Sequence, residues 1–208
     1  MTPPRLSVVV PAFGEEATIA TAVARIRSEL ADVADGGALE VVVVDDGSAD
    51  GTADAATAAG ADQVIAFGRN RGKGAAVRAG MLAAGGRTRA FTDADLSYSP
   101  AQIAGLLAVV ESGIDVVVGN RHHEESTALV SAGSVRLLGG RAINLATRAV
   151  LAGSYDDTQC GLKAFRGDVA EVLFAHSRID GFAFDVELLH LVERYGLSIR
   201  EVPVEVVN

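Results

Sequence analysis

Hydrophobic and polar positions along this chain follow two rhythms that take turns. Short apolar runs of strand length occur at residues 6–11, 39–44, 63–67, 89–92 and 114–118. The run Val41-Val42-Val43-Val44 has no polar face, as expected of a strand buried on both sides of a sheet. Between the runs the spacing changes to that of helices. Ile19, Val23, Ile26 and Leu30 recur on one face, and Ser48-Ala49-Asp50-Gly51-Thr52 supplies the turn and cap of an alanine-rich helix. Residues 72–84 read as a helix, and Pro100 suits the first turn of another that carries Ile103, Leu106, Leu107 and Val110. Strands alternating with helices predict right-handed crossovers and a mainly parallel sheet, an α/β fold.

The second half is less regular. Residues 121–133 read as a polar loop, and Val135, Leu138, Ala142, Leu145 and Ala149 then trace one face of an amphipathic helix. A strand at 161–165, a helix at 184–195 and an alternating edge strand or surface segment at 199–206 complete the pattern. No repeat or break in composition marks a second domain, so residues 1–208 are expected to form one.

Composition changes this picture in a few places. Hydrophobic residues make up 49% of the chain and charged residues 22%, the balance of a globular protein. No apolar run reaches the roughly 18 residues a membrane-spanning helix needs. Met1-Thr2-Pro3-Pro4-Arg5 leads into a strand without the apolar core of a signal peptide, so a cytoplasmic location is expected. A formal net charge of −9 argues against non-specific nucleic-acid binding, which needs a basic footprint. Cys160 is the sole cysteine, which excludes an intramolecular disulfide and a cysteine metal cluster. Against the overall acidity, Arg121, Arg136, Arg141 and Arg148 share a stretch whose only acidic residues are Glu124 and Glu125. Such a local basic surface either serves an anionic ligand or solvates a helix.

Candidate chemistry lies where the apolar runs end. Asp45 and Asp46 close the valine run, and ligands of open α/β sheets bind at the carboxyl ends of the strands. Asp93 and Asp95 flank Ala94 after the fourth run; in an extended segment they would share a side and hold a hard divalent cation. The alternative is that each pair only caps the following turn or helix. The two lysines, set against sixteen arginines, both lie beside glycines, in Gly72-Lys73-Gly74 and Gly161-Leu162-Lys163.

Taken in order, Val8-Val9-Val10-Pro11-Ala12-Phe13-Gly14-Glu15-Glu16, Val44-Asp45-Asp46-Gly47-Ser48, Asn70-Arg71-Gly72-Lys73-Gly74 and Asp93-Ala94-Asp95-Leu96-Ser97 resemble the motifs of inverting family 2 glycosyltransferases with the GT-A fold. The resemblance continues through Val118-Gly119-Asn120-Arg121, Asp157-Thr158-Gln159-Cys160-Gly161-Leu162-Lys163 and Phe182-Ala183-Phe184-Asp185-Val186-Glu187-Leu188. These last strings are similar to the dolichyl-phosphate glucosyltransferase and polyprenyl-phosphate mannosyltransferase branch, and Asp-Thr-Gln-Cys-Gly favours the glucosyl side. So does Ser97, where the mannosyl branch commonly has glutamine.

The resemblance implies a GT-A three-layer sandwich with a nucleotide-sugar-binding half at 1–120 and an acceptor-binding half at 121–208. It implies that Pro11, Ala12, Phe13, Glu15, Asp45, Asp46, Lys73, Asp93 and Ala94 bind a nucleotide-diphosphate sugar, UDP-glucose in preference to GDP-mannose. Asp93 and Asp95 would hold Mg²⁺ or Mn²⁺ on the diphosphate. Arg121, Arg136 and Lys163 would take the acceptor phosphate, since guanidinium groups match phosphate geometry. Asp95, Arg121, Asp157 and Asp185 are the expected catalytic residues, with Asp157 and Asp185 as base or sugar-hydroxyl ligands. The implied acceptor is a polyprenyl phosphate lying along residues 121–153. The protein would then be peripheral, at the inner face of the membrane.

Overall fold

The valine run lies within β2 (Leu39–Asp45), and all four of its side chains are buried. Val41 and Val43 enter one hydrophobic core while Val42 and Val44 enter another, because side chains alternate across a strand. Both faces of the sheet are therefore covered. The computed structural model describes residues 2–34, 39–128, 151, 153 and 155–207. The expected helix through Val135 and Ala149, together with Arg136, lies outside the described residues.

β2 pairs in parallel with β1 (Leu6–Ala12) and with β3 (Gln63–Ala66), and β1 pairs in parallel with β4 (Thr88–Phe91). Beyond β4 come β7 (Lys163–Arg166), β5 (Val116–Asn120) and β8 (Ile199–Pro203), giving the seven-stranded order β3-β2-β1-β4-β7-β5-β8. Among the described strands of this sheet, only β7 runs antiparallel to its neighbours. A second, two-stranded sheet joins β6 (Thr127–Ala128) to β9 (Glu205–Val206). The alternating segment at 199–206 thus divides into the edge strand β8 and the separate β9.

One helical layer comprises α1 (Ile19–Glu29) and α5 (Gln102–Glu111), whose Ile19, Val23, Ile26, Ile103, Leu106 and Leu107 share a core with Val8 and Val41. The short α2 (Ala31–Ala34) and α3 (Thr52–Ala58) follow α1 and β2 respectively. The other layer comprises α4 (Lys73–Ala83), α6 (Gly167–His176) and α7 (Phe184–Tyr195), packed on Val9, Val42 and Phe91. No helix among the described residues is long and apolar enough to cross a membrane.

The topology sets up the site. β1, β2, β4 and β5 all end at one edge of the sheet, delivering Ala12, Asp45, Phe91 and Asn120 there. Antiparallel β7 begins at that same edge, with Lys163 in register with both Phe91 and Val118. The chain leading into β7 is thereby laid across the ends of β4 and β5.

Candidate active site

At the carboxyl edge a cleft of about 460 Å³ is lined by Pro11, Ala12, Phe13, Glu15, Asp46, Lys73, Asp93, Ala94 and Asp95, together with Asn70, Gly72, Ala76 and Phe182. Nearly all residues expected to bind the nucleotide sugar therefore meet in one place. Asp45 is buried behind the cleft and does not line it. Its carboxylate accepts from the Ser48 N–H at 3.0 Å and closes the turn after β2. Asp46 faces the cleft and also ties the turn before α4, with Oδ1 accepting from Arg71 N–H at 2.7 Å and Oδ2 from Gly72 N–H at 2.8 Å. Neither aspartate caps a helix. On the β1 side, the Glu15 N–H donates to Thr52 Oγ1 at 2.9 Å, which holds the loop after Ala12 against α3.

The Asp-Ala-Asp triplet corrects one expectation. It is a turn and not an extended segment: Leu96 N–H returns to Asp93 C=O at 3.1 Å, and Leu96 has a φ of 48°. Period-two alternation is thus not what places Asp93 and Asp95 together. Asp95 Oδ1 accepts from Ser97 N–H at 2.9 Å, so Ser97 serves the turn through its backbone. Asp93 pairs with Lys73, Nζ to Oδ1, at 2.5 Å. No group of three or more His, Cys, Asp or Glu side chains suited to a metal converges among the described residues. Two hard carboxylates beside open cleft volume still fit Mg²⁺ or Mn²⁺, which take a carboxylate or two and complete their shell with phosphate oxygens and water.

Arg121, just past β5, forms a forked pair with Asp157, Nε to Oδ2 at 2.6 Å and Nη2 to Oδ1 at 2.8 Å. The Arg121 and Gln159 N–H groups add to the same carboxylate at 3.0 and 3.1 Å. Burial works to raise the Asp157 pKa, but these hydrogen bonds and the guanidinium charge outweigh it and hold the group below the usual carboxylate range. Asp157 is ionised and already partnered, which makes it a support for Arg121. The Arg121 side chain is 40% exposed and keeps a face toward solvent.

Lys163, expected to take the acceptor phosphate, is buried. Its ammonium reaches Asp185 Oδ1 and Cys160 C=O, both at 2.6 Å. Burial pushes the Asp185 pKa up, and the opposing pull of Lys163 does not cancel it. Neither partner lines the cleft. Glu187, on the same helix, accepts from Arg178 and Ile179 N–H at 2.9 and 2.8 Å and anchors the link between α6 and α7.

That link, residues 177–183, passes over the N-terminus of α4. Asp180 C=O takes the Ala75 N–H at 3.1 Å, and its carboxylate pairs with Arg78. Gly72, at a φ of 103°, leaves room for the Asp180 carbonyl, which would stand 2.5 Å from any Cβ. The strap so held carries Phe182, 73% exposed, into the cleft wall, and Phe13 lies 56% exposed at the β1 end. Sequence reasoning gave Phe182 no role; the string containing it was visible, but only the docked strap shows where the ring stands.

A family model described as "Glycosyl transferase family 2" matches residues 7–174. The chain is similar to the dolichyl-phosphate beta-glucosyltransferase of Drosophila melanogaster, with 35% identity over 96% of this chain and 66% of that protein. It therefore spans just under two thirds of that relative's length. It is also similar to the polyprenol monophosphomannose synthase of Mycolicibacterium smegmatis, with 31% identity over 96% of this chain and 76% of that protein. Among solved structures, glucosyl-3-phosphoglycerate synthase from Mycobacterium tuberculosis in complex with Mn²⁺, uridine diphosphate and glucosyl-3-phosphoglycerate aligns with a TM-score of 0.72 at 27% identity. That alignment covers 98% of this chain and 71% of the other.

Proposed function

Because the chain belongs to glycosyl transferase family 2 and has the α/β fold of GT-A enzymes, we propose that it transfers a sugar, glucose from UDP-glucose, to a polyprenyl phosphate with inversion at the anomeric carbon. The observation that carries this reading is the segment at 157–163. It holds Arg121 through Asp157 at one end and, through Gly161, packs against Asp93 at the other. A phosphate-matching guanidinium and a carboxylate-lined cleft thus share one sheet edge.

In this reading residues 1–120 bind the donor and residues 121–208 serve the acceptor. Pro11, Ala12, Phe13, Glu15 and Asp46 enclose the nucleoside end, and Asp93 and Asp95 would hold Mg²⁺ or Mn²⁺ at the diphosphate. The cation, when bound, offsets charge developing on the leaving nucleotide. Arg121 receives the acceptor phosphate, oriented by Asp157. A phosphate monoester has its second pKa near about 6, so its oxygen is largely ionised at neutral pH and no general base is required. This suits Asp157, whose carboxylate is held in the forked pair with Arg121. Lys163 and Asp185 support the floor of the site and do not touch substrate. Positioning and charge neutralisation then supply most of the acceleration. A lipid acceptor places the protein at the cytoplasmic membrane surface.

The glucosyltransferase relative supports the donor and lipid assignments. The mannose synthase relative supports the same acceptor chemistry with another donor. The Asp95→Ala variant tests the metal assignment: divalent-cation-dependent turnover of donor should fall roughly a hundredfold or more. Equal rates in variant and wild type would contradict it.

A further inference from the structure

The ammonium of Lys73 stands 2.5 Å from Oδ1 of Asp93, and the two side chains are 20% and 31% exposed. The other oxygen of Asp93 is hemmed in, since a Cβ on Gly161 would lie 2.3 Å from Oδ2. One oxygen therefore faces an ammonium and the other faces packed backbone. A divalent cation that takes Asp93 as ligand must displace Lys73 or share the carboxylate with it, and sharing sets two positive charges side by side. Lys73 lines the same cleft as Asp46 and Asp95, within reach of any anion that enters. A diphosphate carries more negative charge than one carboxylate and offers the ammonium a better partner.

Resting on the reading of this cleft as a diphosphate and metal site, we propose that Lys73 occupies the cation's place on Asp93 and moves to the diphosphate when nucleotide binds. Nucleotide and divalent cation then bind cooperatively, each raising the affinity of the other by the same factor. Without nucleotide the carboxylate is kept from stray cations.

The test is Mn²⁺ binding to the full chain without nucleotide, read from the paramagnetic signal of free Mn²⁺, for wild type, Lys73→Met and Lys73→Arg. Removing the ammonium should tighten Mn²⁺ binding roughly two- to fivefold, the scale of a partly exposed ion pair. Lys73→Arg keeps the charge and should stay as weak as wild type, which separates the exchange from a general disturbance of the fold. Adding Asp95→Ala to Lys73→Met should abolish the gain and so locate the ion. Equal affinity in wild type and Lys73→Met would overturn the exchange while leaving the metal reading standing. Absence of Mn²⁺ binding in all forms, even with uridine diphosphate present, would overturn the metal reading and the exchange together.

Discussion

Asp157 shows how one buried carboxylate can hold another side chain in place. Its carboxylate accepts both nitrogens of the Arg121 fork and two backbone N–H groups. Replacing it with asparagine removes the charge and one acceptor arm, and leaves Arg121 half-partnered. Because the Arg121 side chain is 40% exposed, water recovers part of the loss, and the expected destabilisation is about 1–2 kcal/mol. The pH dependence follows from the direction of the shift. The folded pKa of Asp157 lies below the unfolded value of about 3.9, so its contribution is present above that value and lost as pH falls through the lower one. Urea unfolding of wild type and Asp157→Asn should therefore show a constant gap from about pH 7 to about pH 5 that closes below about pH 4. A gap that persists at the most acid point would contradict the ion-pair account. The residue types at this site were legible in the chain, since Arg121 and Asp157 both stood out. Their pairing was not, because 36 positions separate them and only the antiparallel entry of β7 brings them together.

Among elements, the strap between α6 and α7 is where sequence and structure part most clearly. The helical periods of α1, α4, α5 and α7 were readable because each lays a regular apolar face on the sheet. α6 is not among the expected helices, although Val169, Ala170, Leu173 and Phe174 repeat at helical spacing. Its ten residues follow β7 without a link, so strand and helix meet at Arg166-Gly167 with no turn between them to mark the boundary. The strap has no periodicity, and its position depends on contacts across the fold. Gly74 makes those contacts testable. A Cβ there would lie 2.4 Å from Ile179 C=O and 2.8 Å from Phe184 Cβ. Gly105 on α5 has nothing within 4 Å of the same construction. Glycine costs a helix about 1 kcal/mol relative to alanine, and overpacking costs about 1–3 kcal/mol. Gly105→Ala should therefore stabilise by up to about 1 kcal/mol, while Gly74→Ala should destabilise by about 1–2 kcal/mol and weaken donor binding as the strap shifts. Denaturant midpoints and nucleotide titrations of the two variants check this, and an equal gain in both would show that the strap yields freely.

At the scale of the whole molecule, the order of elements places chemistry that no local pattern holds. Parallel β1, β2 and β4 bring Phe13, Asp46 and Asp93 to one cleft from positions scattered over the first half of the chain. Strand–helix alternation predicted that edge, because parallel strands joined by crossovers all end on the same side. Insertion of β7 between β4 and β5 was not predictable from alternation, and it is what joins the cleft to Arg121. The net charge of −9 frames the same arrangement. In an acidic protein, anionic substrates of the proposed kind would depend on local cations, and Lys73 and Arg121 both lie at this edge. The central claim is that the two substrates meet there as a nucleotide sugar and a lipid phosphate. The most direct measurement offers the full chain UDP-glucose, GDP-mannose and other sugar nucleotides, with Mn²⁺ or Mg²⁺ and a short polyprenyl phosphate, and follows sugar on the lipid. Glucose transferred from UDP-glucose is the predicted result; transfer of sugar only to a water-soluble phosphorylated acceptor, with none reaching the lipid from any donor, would contradict it.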